Sequence, residues 1–143
     1  MKIAITSDHA GVQYKKELAD YMTHLGYQVL DLGPYTEDSV DYPDFAHSLA
    51  ETVLSKKADY GIILCGTGNG VAMAANKHQG IRAGLSWNKE VAALIRQHND
   101  ANILALPARF VNVEEAKEIV KTYLETPFEG GRHQRRVDKI ACV

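Results

Sequence analysis

At 143 residues, with 45% apolar and 24% charged residues, the chain has the composition of a globular domain with room for a sizeable core. Its formal net charge of -2 gives no general attraction to nucleic acid or to an anionic membrane. No apolar run approaches the roughly 20 residues of a membrane span, and Met1 to Ile5 is too short for a signal peptide. With only Cys65 and Cys142, reduced thiols in a cytoplasm are the expectation.

In chain order, Ile3-Ala4-Ile5-Thr6 reads as a buried first strand and Ser7-Asp8-His9-Ala10-Gly11 as a polar turn. Val12, Leu18, Tyr21, Met22 and Leu25 recur at helical spacing, and Gly26 is placed to end that helix. Gln28 to Asp31 forms a second strand. A loop rich in turn formers follows from Leu32 to Tyr42, and Pro43 opens a helix striped by Phe45, Ala46, Leu49, Ala50 and Val53. The third strand ends at Cys65, a helix covers about Val71 to Lys77, and Ile81 to Ser86 is a fourth strand. Asn88 to Gln97 is helical, Asn102 to Leu106 is the fifth strand, and Asn112 with Glu115 forms a capping pair for a helix from Val113 to Leu124. Beyond Glu129-Gly130-Gly131, Arg132 to Val143 reads as a short basic helical tail.

Short apolar strands alternating with amphipathic helices predict an α/β domain around a parallel sheet, a single unit over residues 1–143. In an open sheet of this kind, ligands bind outside the carboxyl ends of the strands. Those ends carry Ser7-Asp8-His9, Cys65 with its glycine turn, Ser86-Trp87 and Leu106-Pro107-Ala108-Arg109.

The turn Gly66-Thr67-Gly68-Asn69-Gly70 is compatible with several anion loops, and spacing removes most of them. No lysine completes a Walker loop, the glycines have the wrong step for a dinucleotide fingerprint, and Val71 stands where a cysteine phosphatase loop would need arginine. A backbone nest for an oxyanion or a small hydroxylated ligand remains, against a turn that serves packing alone. Cys65 is open to two readings, a buried core cysteine or a thiolate activated at the start of a helix. Cys142 is expected to be inert.

Of the six histidines, His24, His47 and His78 fall in or near helices and are expected at the surface. His9 and His98 fall at element ends and are expected near the pocket, with Asn99 and Asp100 able to hold an imidazole tautomer. No spacing of histidine and cysteine gathers metal ligands. In Arg132-His133-Gln134-Arg135-Arg136, Arg132 and Arg136 lie one helical turn apart, spaced either as a solvated face or to clasp a phosphate.

Together Ser7-Asp8-His9-Ala10-Gly11, Asp41-Tyr42-Pro43, Cys65 to Gly70, Ala74-Ala75-Asn76-Lys77, Gly80-Ile81-Arg82-Ala83, Arg96 to Asn102 and Glu129 to His133 match one family in order. The chain resembles the type B ribose-5-phosphate isomerases, a family that includes the galactose-6-phosphate isomerase subunits, from Lys2 to the basic tail. The resemblance implies a Rossmann-like three-layer αβα sandwich with a five-stranded parallel sheet. It also implies dimers, sometimes tetramers, with sites at the subunit interface, the tail from about 132 to 143 packing on the partner, and no metal or organic cofactor.

It implies that Cys65 moves the proton between C1 and C2 and that backbone N–H groups of Gly66, Gly68, Asn69 and Gly70 form the oxyanion site. Thr67 would relay protons and His98 would open the furanose ring. Asp8, Tyr42 and Asn99 would position hydroxyls, and His9, Arg109, Arg132 and Arg136 would hold phosphate and substrate. Relatives that lack the cysteine carry glutamate just after the glycine loop; here Val71 occupies that position, leaving Cys65 the one base at the turn. Isomerisation of ribose 5-phosphate and ribulose 5-phosphate is the expectation. Isomerisation of allose 6-phosphate or galactose 6-phosphate is the nearest alternative. A non-catalytic sugar-phosphate-binding module and a nucleic-acid-binding tail come behind these.

Overall fold

In a computed structural model that describes residues 1–142, five strands form one sheet in the order β2-β1-β3-β5-β4. They are β1 (Lys2–Ser7), β2 (Gln28–Asp31), β3 (Tyr60–Cys65), β4 (Ala83–Leu85) and β5 (Ile103–Pro107), and every pairing is parallel. Parallel neighbours cannot be joined by a tight hairpin, so helices carry the chain back between them. These are α1 (Val12–His24), α2 (Tyr42–Leu54), α3 (Asn69–Ala75), α4 (Lys89–Gln97), α5 (Val113–Glu125) and α6 (Arg132–Asp138).

Alternation along each strand divides the core between two faces. Ile3, Ile5, Ile62, Leu64, Leu104 and Leu106 pack on one side against Leu18 and Met22 of α1, Ala92 and Ile95 of α4, and Ile119 and Tyr123 of α5. On the other side Ala4, Ile63, Cys65, Ile103 and Ala105 meet Ala46, Leu49, Ala50 and Val53 of α2 and Val71 and Ala75 of α3. Fully burying a side chain such as Leu18, Met22 or Leu49 contributes about 2 kcal/mol. Small residues dominate the second side, so α2 and α3 sit close to the sheet.

Local chemistry sets the boundaries. Gly26 takes φ +100 after α1, a conformation that a side chain would strain. Asn112 and Glu115 form a reciprocal capping box on α5, and Asn88 accepts from Val91 N at 2.8 Å to cap α4. Lys15 of α1, only 2% exposed, is paired with Asp31 at the end of β2 at 2.6 Å. Several boundaries differ from expectation, among them the third helix, which runs from Asn69 to Ala75 rather than from Val71 to Lys77. The fourth strand is confined to Ala83–Leu85, the stretch that pairs with β5. The tail helix ends at Asp138 rather than running on, with Lys139 as its cap, and Val143 lies outside the described residues.

The strand order places the site. From β1 the chain winds to β2 on one side and later continues at β3 on the other, so helices α1 and α3, which follow β1 and β3, leave on opposite faces. That divergence opens a crevice at the carboxyl ends of β1 and β3. Asp8 and the Cys65 turn flank it, joined by a hydrogen bond from Asp8 N to Leu64 O at 2.9 Å.

Candidate active site

Cys65 is the last residue of β3 and is 7% exposed. Its sulfur accepts a hydrogen bond from Gly68 N at 3.1 Å, so the turn curls back over the thiol and fixes where the sulfur points. Gly68 makes this curl at φ +76, and a Cβ there would run into Leu85 Cδ1 and crowd the Leu106 backbone at 3.2 Å, so a side chain is disfavoured on both counts. Thr67 Oγ1 accepts from Asn69 N at 3.3 Å, which turns the threonine toward the start of α3. In that first turn the N–H groups of Gly70 and Val71 have no helical carbonyl to bond and are left for a ligand.

Three other elements converge on the turn. Tyr42, at the start of α2, lies over Gly70: a Cβ there would stand 2.7 Å from its hydroxyl oxygen and ring. Arg109, just past β5, lies over Gly66, where a Cβ would meet its guanidinium at 3.1 to 3.3 Å. Arg109 N donates to Gly66 O and Ala108 N to Cys65 O, which fixes the loop after β5 against the turn. Asp8 is held by Gly11 N donating to its carboxylate at 3.0 Å, and His9 Nδ1 accepts from Val40 N at 3.4 Å. Asp8, Tyr42, Cys65, Thr67 and Arg109 are thus gathered from β1, α2, β3 and β5, with His9 tied to the loop before α2.

His98, Asn99, Arg132 and Arg136 are gathered elsewhere. They line one cavity of about 380 Å³ together with His133, Val137 and Ile140. Helix α4 runs back from the carboxyl end of β4, so His98, its cap, sits where β5 begins. The length of β5, about 15 Å, therefore separates His98 from the Cys65 end. The expectation that His98 lies near the pocket of its own chain is corrected: it lies at the opposite end of the sheet.

The geometry of that second cluster rests on residues that carried no role in the sequence reading. Arg96, 5% exposed, donates to Asp100 Oδ1 at 2.9 Å, Ala101 O at 2.8 Å and the Tyr60 hydroxyl at 3.0 Å. Arg82 clasps Asp100 O from outside, with Nη2 at 3.0 Å, so the turn carrying His98 and Asn99 is held from both sides although Asp100 has φ +48. Glu129 and His133 stand against His98. Their sequence signals, a shared motif and a spacing of four across the loop into α6, say nothing about contact with α4. His47 and His78, expected at the surface, are half-buried and joined Nδ1 to Nε2 at 2.7 Å, linking α2 to the turn after α3.

One group of possible metal ligands exists among the described residues, His98, Glu129 and His133, whose nitrogen and oxygen atoms lie within 4.8 Å of one another. The two imidazoles stack at 4.3 Å with 12° between their planes. Nitrogen lone pairs lie in the ring plane, so parallel rings point them side by side rather than at a common centre. Arg132 and Arg136, lining the same cavity, add positive charge. This is a stack, not a chelate.

The sequence profile of the Ribose/Galactose Isomerase family matches residues 3–140. Ribose-5-phosphate isomerase B of Escherichia coli (strain K12) is 43% identical over 142 residues, which span 99% of this chain and 95% of that protein. Among solved structures, ribose-5-phosphate isomerase B of Clostridium thermocellum aligns with a TM-score of 0.97 at 51% identity, covering 98% of this chain and 95% of that one. The Mycoplasma genitalium ribose-5-phosphate isomerase B, solved with bound ribulose-5-phosphate, aligns at 0.93 with 48% identity, covering 97% and 93%. The three-layer αβα fold is common to them, and on this match across nearly all of its length the chain belongs to the ribose/galactose isomerase family.

Proposed function

We propose that the protein is an aldose–ketose isomerase interconverting D-ribose 5-phosphate and D-ribulose 5-phosphate through a cis-enediolate. The observation that carries this is Cys65, held at the crevice beside a glycine turn, in a chain 48% identical to one solved with bound ribulose-5-phosphate. A proton on carbon beside a carbonyl is weakly acidic, so its removal needs a placed base and a site for the charge that develops on oxygen. Cys65 takes the C2 proton of the open-chain aldose and returns it to C1. Backbone N–H groups of the Gly66 to Gly70 turn receive the enediolate oxygens, that of Gly70 being unbonded while those of Gly68 and Asn69 shape the turn. Thr67 passes a proton between them.

Asp8, Tyr42 and Asn99 orient hydroxyls, His98 opens the furanose, and His9, Arg109, Arg132 and Arg136 hold the phosphate end. This division of labour needs two chains, because one chain carries Cys65 and His98 at opposite ends of its sheet. A homodimer in which each copy offers His98, Asn99, Arg132 and Arg136 to the other's Cys65 completes two equal sites. Exposed apolar side chains support the pairing at both ends: Met73, 66% exposed, on α3 beside the turn, and Ile140, 55% exposed, beside the arginines. The tail beyond Arg132 then packs on the partner, and the whole chain acts as one isomerase domain. Free thiols at Cys65 and Cys142 suit a reducing cytoplasm, and no described helix is long and apolar enough to cross a membrane.

Purified protein is expected to convert ribose 5-phosphate to ribulose 5-phosphate without added metal, and faster than it converts allose 6-phosphate or galactose 6-phosphate. Cys65→Ala should lower turnover by about a hundredfold or more while sparing substrate binding. Unimpaired turnover in that variant would refute the assigned base.

A further inference from the structure

Glu129 joins the two stacked imidazoles. Its Oε1 lies 3.5 Å from His98 Nε2 and 3.6 Å from His133 Nε2, and the rings face each other at 4.3 Å. The three residues come from different segments. His98 caps α4, Glu129 is in the loop after α5, and His133 lies in the first turn of α6. The loop is tied to α4 by Glu129 N donating to Gln97 O at 3.1 Å, and His133 N donates to Gly130 O at 3.0 Å. His133 is the covered partner, its side chain 12% exposed, whereas His98 is 41% exposed and presents its outer face to the cavity of Arg132 and Arg136.

We propose that Glu129 and His133 are positioning residues for His98, fixing its ring for the ring-opening step. This rests on the isomerase reading above. Opening the furanose breaks the C1–O4 bond, delivers a proton to O4 and removes one from the C1 hydroxyl as the carbonyl forms. A group that serves must hold a proton in a fixed direction at that edge. Positive charges on two stacked rings would repel each other. His133 is pushed toward the neutral form by burial, by His98 and by Arg132, with Glu129 opposing and Arg136 adding to the push. The Glu129 oxygen stands within 3.6 Å of Nε2 of both rings and, with the stack against His133, limits the rotation of His98.

Ribulose 5-phosphate provides the discriminating assay, because its C5 oxygen is esterified and it stays open-chain. Exchange of its C1 proton with solvent needs Cys65 but no ring opening. Glu129→Gln and His133→Ala should each lower kcat on ribose 5-phosphate about tenfold or more, with KM and the C1 exchange rate changed less than about twofold. His133→Phe, which keeps a stacking ring without a titrating nitrogen, should recover most of the loss seen with His133→Ala. Equal losses in turnover and exchange would assign these residues a merely structural role, and no loss in either would remove their role altogether; both results overturn the proposal. Wild-type protein that shows neither reaction would instead overturn the isomerase reading itself.

Discussion

Pairing two inactive variants tests the split of the site between chains. Cys65→Ala removes the proposed base at the carboxyl end of β3. Arg132→Ala combined with Arg136→Ala removes the two proposed phosphate contacts at the other end, about 15 Å away along β5. Hydrogen bonds to charged groups contribute about 1.5 to 3 kcal/mol each, so losing two costs about 3 to 6 kcal/mol, a factor of at least about 100 in kcat/KM. Each homodimer is then dead at both sites. In a heterodimer the lesions segregate: one site takes all three substitutions and the other takes none. Random re-association produces heterodimers as about half of the population, each with one working site of two, so the mixture should regain about a quarter of wild-type specific activity. The assay follows ribulose 5-phosphate formation after the two variants, carrying different affinity tags, are unfolded and refolded together. Heterodimers isolated through both tags should reach about half of wild-type. If those isolated heterodimers remain as inactive as their parents, Cys65 and the arginines serve the same site from the same chain, and the reading of the sheet's two ends is wrong.

Gly70→Ala should disturb the site more than the fold. The added methyl would stand 2.7 Å from the ring and hydroxyl of Tyr42, and because Tyr42 is 42% exposed it can swing outward at a stability cost near the low end of overpacking, about 1 kcal/mol. A several-fold rise in KM is the expected sign, and an unchanged KM would take Tyr42 out of the substrate's reach. Asp31→Asn leaves Lys15, 2% exposed, without its counter-charge; with Asp31 itself partly open to solvent the loss should be about 2 to 3 kcal/mol in urea unfolding. A change below about 0.5 kcal/mol would show that Lys15 reaches water or another partner.

How much of this was legible in the chain depends on the range of the interaction. The strands were readable because β-branched and other apolar runs stood between helical periodicities, and the caps at Gly26 and Asn112 because they act within three or four residues. The Cys65 turn was readable for the same reason: glycine spacing, a strand before it and a helix after it are all local. The glycines' reasons were not. Gly70 makes room for Tyr42 and Gly66 for Arg109, contacts that cross 28 and 43 positions of the chain and exist only once α2 and β5 are seated.

His98 shows most clearly where local reading stops. Its sequence neighbourhood, a polar cluster at the end of a helix, resembles that of a residue beside the pocket, but element ends in a parallel sheet come in two kinds. The end of a strand and the end of the helix that follows it lie at opposite edges, and only strand order and direction say which is which. The sequence by itself determined the elements, their alternation and the chemistry available at Cys65, because these follow from periodicity, capping and residue type. Tertiary structure alone decided which groups share a site: it set Tyr42 and Arg109 over the glycine turn, stacked His98 on His133 beside Glu129, and held that stack a full strand's length from the sulfur. The physical reason is that packing across the sheet and the direction of each crossover, not proximity in the chain, fix the distances over which a proton can move.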